Sequence, residues 1–407
     1  MKWKLPLLLL MMLFLPCGLA FGEPSAERLA KWLKRFPAAD ANGDGLLTAT
    51  EAAAYQLKQA RSPADSGEFR MDLGAPPEPS INPGWDADRF PEHATVYRTP
   101  EEIADIYAKA IGQNRGAVVS HEKPADGSLR IVSTGHSFMG PGYATFYRVA
   151  LAAGLTQPPL LTHTGGGMTG SARYKWEQEN GIFQFDGKPT PKLMASIANA
   201  EWDAMLWGPY YHDRPAYYSC WIDFCLKYNP HMKFYLMDAW PQIDQLRKLP
   251  ATEDGLSAQT IAQMGEDRQE MFGGVVDTLN KKYPGKVFVL PTCRAMVLAA
   301  EYYHRGELPG VEGIHTLVGG KKRTFWKDRI GHLGPGFDQL EGYLFYATLY
   351  GRSPELIEGD VNFGGAPDYP SRELDRVFRK IAWQAVLDHP QSGVVDKNSN
   401  GVDDGRE

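Results

Sequence analysis

From residue 129 onward, short apolar runs alternate with longer stretches of helical period. "LRIVSTG" (129–135), "PLLTHTG" (159–165), "WDAMLWG" (202–208), "KFYLMDAW" (233–240) and "KVFVLP" (286–291) each predict a buried strand. Between them, "YATFYRVALAAG", "PKLMASIANA", "PAYYSCWIDFCLKYNP" and "TIAQMGEDRQEMFGGVVDTLNKKY" predict helices. A last helix is predicted over "SRELDRVFRKIAWQAVL", apolar at 374, 377, 378, 381, 382, 385 and 386. Apolar strands alternating with amphipathic helices imply an α/β fold, a five-stranded parallel sheet covered on both faces. In such sheets, binding sites form beyond the carboxyl ends of the strands. The first run stops at "GHSFMGPG", which puts Ser137 at such an end.

The chain begins differently. Lys2 and Lys4 precede "LPLLLLMMLFLP", too short to span a bilayer and of the length of a signal-peptide core. Small residues after it allow cleavage following Ala20 or Gly22, so residues 1–22 are expected to be removed and the protein to be secreted or periplasmic. Cys17 stands beside Pro16 and Phe14, which suit a lipoprotein signal poorly. No later segment is apolar enough to span a membrane. "SPADSGEF" and "GAPPEPSINPGWD" are too rich in proline and glycine for a helix or central strand, and residues 63–125 read as a linker or an extended wrap. The expected divisions are thus 1–22, 23–62, 63–125, 126–390 and 391–407.

Composition narrows the classes. With 43% hydrophobic and 12% aromatic residues the chain can bury a large core. A net charge of −6 without a basic stripe argues against nucleic acid as a partner. Cys220, Cys225 and Cys293 remain after cleavage, an odd number that allows at most one bridge.

"DANGDGLLTATE" (40–51) carries Asp40, Asn42, Asp44, Gly45 and Glu51 at positions 1, 3, 5, 6 and 12 of a calcium loop. Leu46 would offer its carbonyl, and Thr48 would act directly or through water. Helical spacing at Leu29, Trp32, Leu33 and Phe36, with "EAAAYQLKQA" after the loop, completes the resemblance to a single EF-hand. The last twelve residues, "DKNSNGVDDGRE", place Asp396, Asn398, Asn400, Gly401, Asp404 and Glu407 at matching positions, with Val402 at the carbonyl position. No exit helix follows, so this loop resembles a dockerin-type one. The bland reading of it is an acidic tail. Calcium is expected as a structural ion, and no catalytic cofactor is expected.

"TGHSF" also resembles the first block of the SGNH (GDSL-like) hydrolases, a three-layer α/β/α family whose nucleophilic serine follows a strand. The resemblance runs from about Leu129 to Pro354 and assigns the nucleophile role to Ser137. It places the second-block glycine, an oxyanion donor, among Gly165, Gly166 and Gly167. In the third block the family has G-x-N-D; here Gly208 is present, but Tyr210 stands where the asparagine would be. Tyr210, Tyr211 or His212 would then have to donate to the oxyanion. For the acid and base the family has DxxH. "EGIH" offers Glu312 and His315 at that spacing, while "DRIGH" offers Asp328 and His332 with one residue more. A proline-glycine break and an apolar helix follow His332, as in the family, which favours Asp328 and His332. A serine becomes a nucleophile only when a neighbouring imidazole takes its proton and a carboxylate fixes that imidazole. The resemblance therefore implies a serine esterase or acetylesterase acting on an ester-bearing small molecule or polysaccharide. The competing reading is a non-catalytic, calcium-binding surface or adhesion protein on a degenerate hydrolase scaffold.

Overall fold

A computed structural model describes residues 26–52, 55, 119–164, 184, 185, 188, 189, 193–208, 215–246, 248–364 and 369–406. The expected signal peptide and most of the expected linker lie outside them. The chain divides into two units, Met1–Arg70 and Met71–Glu407.

In the first unit, α1 (Ala26–Arg35) is followed by a turn at Pro37–Ala39 and by the loop from Asp40; residues 49–52 are again helical. Ala39, Leu47 and Ala52 form a small buried cluster against Leu29, Trp32, Leu33, Phe36 and Tyr55. Trp32 meets Phe36 edge-on at 6.4 Å, and Phe36 lies 6.0 Å from Tyr55. Thr48 caps the second helix in a reciprocal box. Its amide and hydroxyl donate to Glu51 Oε2 at 3.0 and 2.7 Å, and the Glu51 amide donates back to Thr48 Oγ1 at 3.1 Å.

The second unit holds the predicted parallel sheet. Its strands are β1 (Ile131–Gly135), β2 (Leu161–Thr164), β3 (Ala204–Trp207), β4 (Lys233–Met237) and β5 (Val287–Leu290), in the order β2-β1-β3-β4-β5. Register is tight in the centre, Val132 facing Met205 and Met205 facing Phe234. Near the start of β1, buried Arg130 donates to Asp203 at 2.9 Å and to Glu201 at 2.9 Å, which pins β1 to β3 where both begin.

Helices cover both faces. They are α2 (Gly140–Ala152), α3 (Leu193–Asn199), α4 (Pro215–Tyr228), α5 (Ala258–Lys282), α6 (Thr292–His304), α7 (Phe337–Tyr350) and α8 (Arg372–Asp388). This is the three-layer α/β/α arrangement expected from the alternation of strands and helices. α2 and α7 pack closely because glycine stands on each side of their contact. A Cβ at Gly142 would come within 2.5 Å of Phe345, and one at Gly342 within 2.4 Å of Thr145. A second, two-stranded pair, β6 (Gly313–His315) with β7 (Thr324–Trp326), lies before α7. Cys220, Cys225 and Cys293 are free thiols, all buried.

Residues 396–406 are not a loose tail. The Ser353 amide donates to Gly401 O at 2.7 Å, and the Asp403 amide donates to Gly351 O at 2.8 Å. Arg352 and Val402 form an antiparallel bridge, and Arg406 Nη1 donates to Leu349 O at 2.7 Å. The loop therefore closes over the C-terminal end of α7, satisfying carbonyls that a helix end leaves open.

Candidate active site

The sheet order reverses direction between β1 and β3, and this is where an open parallel sheet forms its crevice. β1 ends at Gly135, and Ser137–Met139 form a single 3-10 turn that runs into α2. Gly135 is required here by close approach. A Cβ on it would meet Met139 Cγ at 2.7 Å and the Gly208 amide at 3.1 Å. A Cβ on Gly208, just past the end of β3, would meet the same Met139 Cγ at 2.6 Å. The two glycines let strand ends and methionine close up beneath Ser137, whose side chain is left exposed.

Ser137 Oγ lies 2.7 Å from His332 Nε2, across 195 positions of sequence. His332 Nδ1 lies 2.7 Å from Asp328 Oδ2. The longer spacing of "DRIGH" is absorbed by a turn that the aspartate itself holds. Asp328 Oδ1 accepts the amides of Gly331 and His332, each at 3.1 Å, while its other oxygen takes the imidazole. Gly331 has φ +92°, a conformation closed to most side chains, so glycine is what allows the fifth residue.

The competing pair makes other bonds. His315 ends β6, is buried, and accepts the Leu317 amide on Nδ1 at 3.1 Å. Burial lowers its pKa below the usual imidazole value. Glu312 spends its carboxylate on the amides of Lys322 and Arg323, each at 3.2 Å.

The serine occupies the first position of the 3-10 turn, whose Phe138 amide donates to His136 Nδ1 at 3.4 Å and whose Met139 amide donates to His136 O at 3.0 Å. The expected oxyanion donors, Gly165, Gly166, Gly167 and Tyr210, lie outside the described residues, as does Glu407 of the second acidic loop.

Two side chains not singled out by sequence line the triad from beneath. Phe138 meets the His332 ring edge-on at 5.3 Å and stacks on Trp240 at 4.9 Å. Trp240 Nε1 donates to Gly331 O at 2.6 Å. Their only signal in the sequence is position: one follows the serine and the other follows strand β4 in "DAWPQ".

The acidic loops share three hydrogen bonds and a glycine turn. Gly45 and Gly401 both adopt positive φ, +80° and +82°. Their amides donate to Asp40 Oδ2 at 2.8 Å and Asp396 Oδ2 at 2.9 Å. The position-3 oxygens, Asn42 and Asn398, accept the position-5 amides at 2.9 and 3.0 Å. Asp44 and Asn400 accept the amides of Leu46 and Val402 at 2.8 and 2.9 Å. Among the described residues no three His, Cys, Asp or Glu side chains gather as a metal cluster. The loops instead combine carboxylates with amide and main-chain oxygens, an all-oxygen set that suits a hard cation such as calcium.

Known proteins add little. No family model matches the chain, and no curated protein matches it. Among solved structures, a DUF4886 family protein from Bacteroides uniformis ATCC 8492 is 11% identical, at a TM-score of 0.45 over 64% of this chain and 95% of that one. A protein described as a candidate platelet activating factor, from Streptococcus pneumonia, is 12% identical, at a TM-score of 0.30 over 65% of this chain and 98% of that one. Likenesses at this level carry no weight for activity. Among the described residues no helix is long and apolar enough to cross a membrane.

Proposed function

We propose that the protein is an exported serine hydrolase of the SGNH type, an esterase or acetylesterase acting on an acylated extracellular molecule such as a polysaccharide ester. The observation that carries this reading is the continuous chain from Ser137 Oγ through His332 to Asp328, with both links at 2.7 Å. In the proposed reaction His332 takes the hydroxyl proton as Ser137 Oγ attacks the ester carbonyl carbon. Asp328 holds the imidazole by its Nδ1 side and steadies the positive charge it gains. In this reading the tetrahedral oxyanion is met by the donors the resemblance assigns, one of Gly165, Gly166 and Gly167 together with Tyr210. As the ester C–O bond breaks, His332 returns the proton to the leaving alcohol. Water then attacks the acyl-serine by the same proton path, and the acid is released.

Calcium belongs to this proposal as a structural ion. Asp40, Asn42, Asp44, Leu46, Thr48 and Glu51 would hold one ion, and Asp396, Asn398, Asn400, Val402, Asp404 and Glu407 another. Bound there, it would brace loops and take no part in ester chemistry.

The test is turnover of short-chain activated esters by the mature protein and by Ser137→Ala. Wild-type turnover that disappears in the variant, with circular dichroism and melting unchanged, is the expected result. Equal turnover by the two proteins would transfer the protein to the non-catalytic, calcium-binding reading.

A further inference from the structure

Three segments must meet for the site to work: the turn after β1, the loop of residues 328–332, and whatever holds that loop in place. The first two contain the triad. The third is the segment following β4, and its reach into the site depends on one side chain.

Trp240 is 1% exposed and makes two contacts of different kind. Its indole N–H donates to the carbonyl of Gly331, the residue immediately before His332, at 2.6 Å. Its ring stacks on Phe138 at 4.9 Å with an interplanar angle of 25°, and Phe138 in turn presents its face or edge to His332 at 84°. Phe138 follows the nucleophile directly. One indole thus fixes the backbone before the base and the ring beside the nucleophile. The fit around Gly331 is close: a Cβ there would stand 3.1 Å from Gln242 Cγ and 3.4 Å from Trp240 Nε1. Gln242 is itself held, its side-chain oxygen lying 3.4 Å from Nη2 of the buried Arg268 on α5. Other links within residues 326–333 also shape the loop: Asp328 Oδ1 accepts the amides of Gly331 and His332, the Lys327 amide donates to His332 O at 2.9 Å, and Trp326 and Leu333 form an antiparallel bridge. Those internal bonds set the shape of the loop, and the Trp240 bond ties that shape to the sheet on which Ser137 sits.

We infer that Trp240 is a positioning residue, which sets the distance between His332 and Ser137 through the Gly331 carbonyl and the Phe138 ring. This inference rests on the hydrolase reading above. A reach of 2.7 Å between nucleophile and base tolerates little drift, and displacement of about 1 Å can cost on the order of 100-fold in rate.

The experiment compares wild type, Trp240→Phe and Ser137→Ala in two assays. Trp240→Phe keeps an aromatic ring against Phe138 and removes the donor to Gly331 together with part of the buried indole volume. The first assay is covalent labelling by a fluorophosphonate: the serine oxygen bonds to phosphorus, fluoride leaves, and the hydroxyl proton passes to His332. The second is the kinetics of an activated acetyl ester. In Trp240→Phe the labelling rate and kcat should both fall by roughly 10- to 100-fold with KM little changed. The downfield NMR resonance of the proton shared by His332 and Asp328 should broaden. Replacement by histidine, which keeps a ring N–H in the same place, should recover part of the rate. Unchanged labelling and kcat in a folded Trp240→Phe overturn the positioning role while leaving the hydrolase reading intact. A wild type that is neither labelled at Ser137 nor active on esters overturns the hydrolase reading instead. Should Trp240→Phe melt well below wild type, labelling and kcat are compared at a temperature where circular dichroism shows both proteins folded, and rates equal to wild type there count against the inference.

Discussion

The two acidic loops share a hydrogen-bond pattern and differ in what surrounds them. Loop 40–51 closes on itself: its carboxylates accept amides from within the loop, and Glu51 is engaged by Thr48 of the same segment. Loop 396–406 makes three of the same internal bonds and is also joined to the end of α7 through Gly351, Ser353, Arg352 and Leu349. Similar local chemistry therefore has different consequences. An ion in the first loop would stabilise a small helical unit, whereas an ion in the second would stabilise the α/β unit that carries Ser137. The candidate active site is the opposite case again, since none of its bonds between segments can form within twelve residues.

The largest expected effect separates the site from the loops altogether. His332→Ala should reduce kcat by on the order of 10⁴- to 10⁶-fold, because triad members act as a unit. It should leave the calcium-dependent shift in melting temperature unchanged. Stopped-flow or steady-state ester hydrolysis, paired with calorimetry in calcium and in chelator, measures both. Loss of the calcium response in this variant would mean that site and loops are coupled.

Gly331→Ala comes next. The positive φ and the crowding against Gln242 and Trp240 act together, so the loop must shift. We expect roughly 10- to 100-fold lower kcat and a stability loss of about 1–3 kcal/mol. A variant with wild-type kcat would show that the loop reaches the same geometry without glycine.

Calcium then distinguishes the loops from one another. An ion that binds only the folded state adds about 2.7 kcal/mol when free ion is near 100 times the dissociation constant. Asp396→Ala should remove the calcium-dependent rise in the melting of the α/β unit, and Asp40→Ala should leave that transition where it is. Neither should alter ester turnover in calcium. If Asp40→Ala abolished the stabilisation of the α/β unit, the two loops could not be acting separately.

The smallest expected effect is in pH. Glu341 is 3% exposed on α7, close to the Gly142 amide, and burial holds its carboxyl well above the usual carboxylate range. Its folded-state proton is favoured, so its contribution to stability is complete below the unfolded value and fades as pH rises through the folded one. Glu51 runs the other way. Its bonds to Thr48 lower its pKa, so its contribution is present above the unfolded value and is lost as pH falls. Glu341→Gln should flatten the decline in stability of the α/β unit on the alkaline side. An unchanged pH profile in that variant would show that the carboxyl already ionises without cost.

Much of this was legible before any coordinates. The five strands are apolar enough to declare burial on both faces, and the helices between them carry their own period, so the layered α/β class follows from local pattern alone. Both acidic loops are likewise set within single stretches, because each donor and acceptor lies within a few residues of its partner. Ser137 was marked by its place at the end of a strand. The choice between His315 and His332 was not local. "EGIH" has the simpler spacing, and the proline-glycine break and apolar helix after His332 favoured that histidine, but the 2.7 Å reach to the serine is seen only in the packed structure. Trp240 and Phe138 were invisible as anything more than apolar residues, since a stacking partner and a carbonyl 91 positions away leave no trace in neighbouring sequence. The last loop also admitted the reading of an acidic tail, because its anchors, Gly351 and Ser353, belong to another part of the chain. Sequence by itself determined which elements form and which turns they carry, where propensity and short-range hydrogen bonds suffice. Tertiary structure alone decided which distant residues meet, because that depends on how closely glycine-bearing surfaces can approach once the sheet is in place.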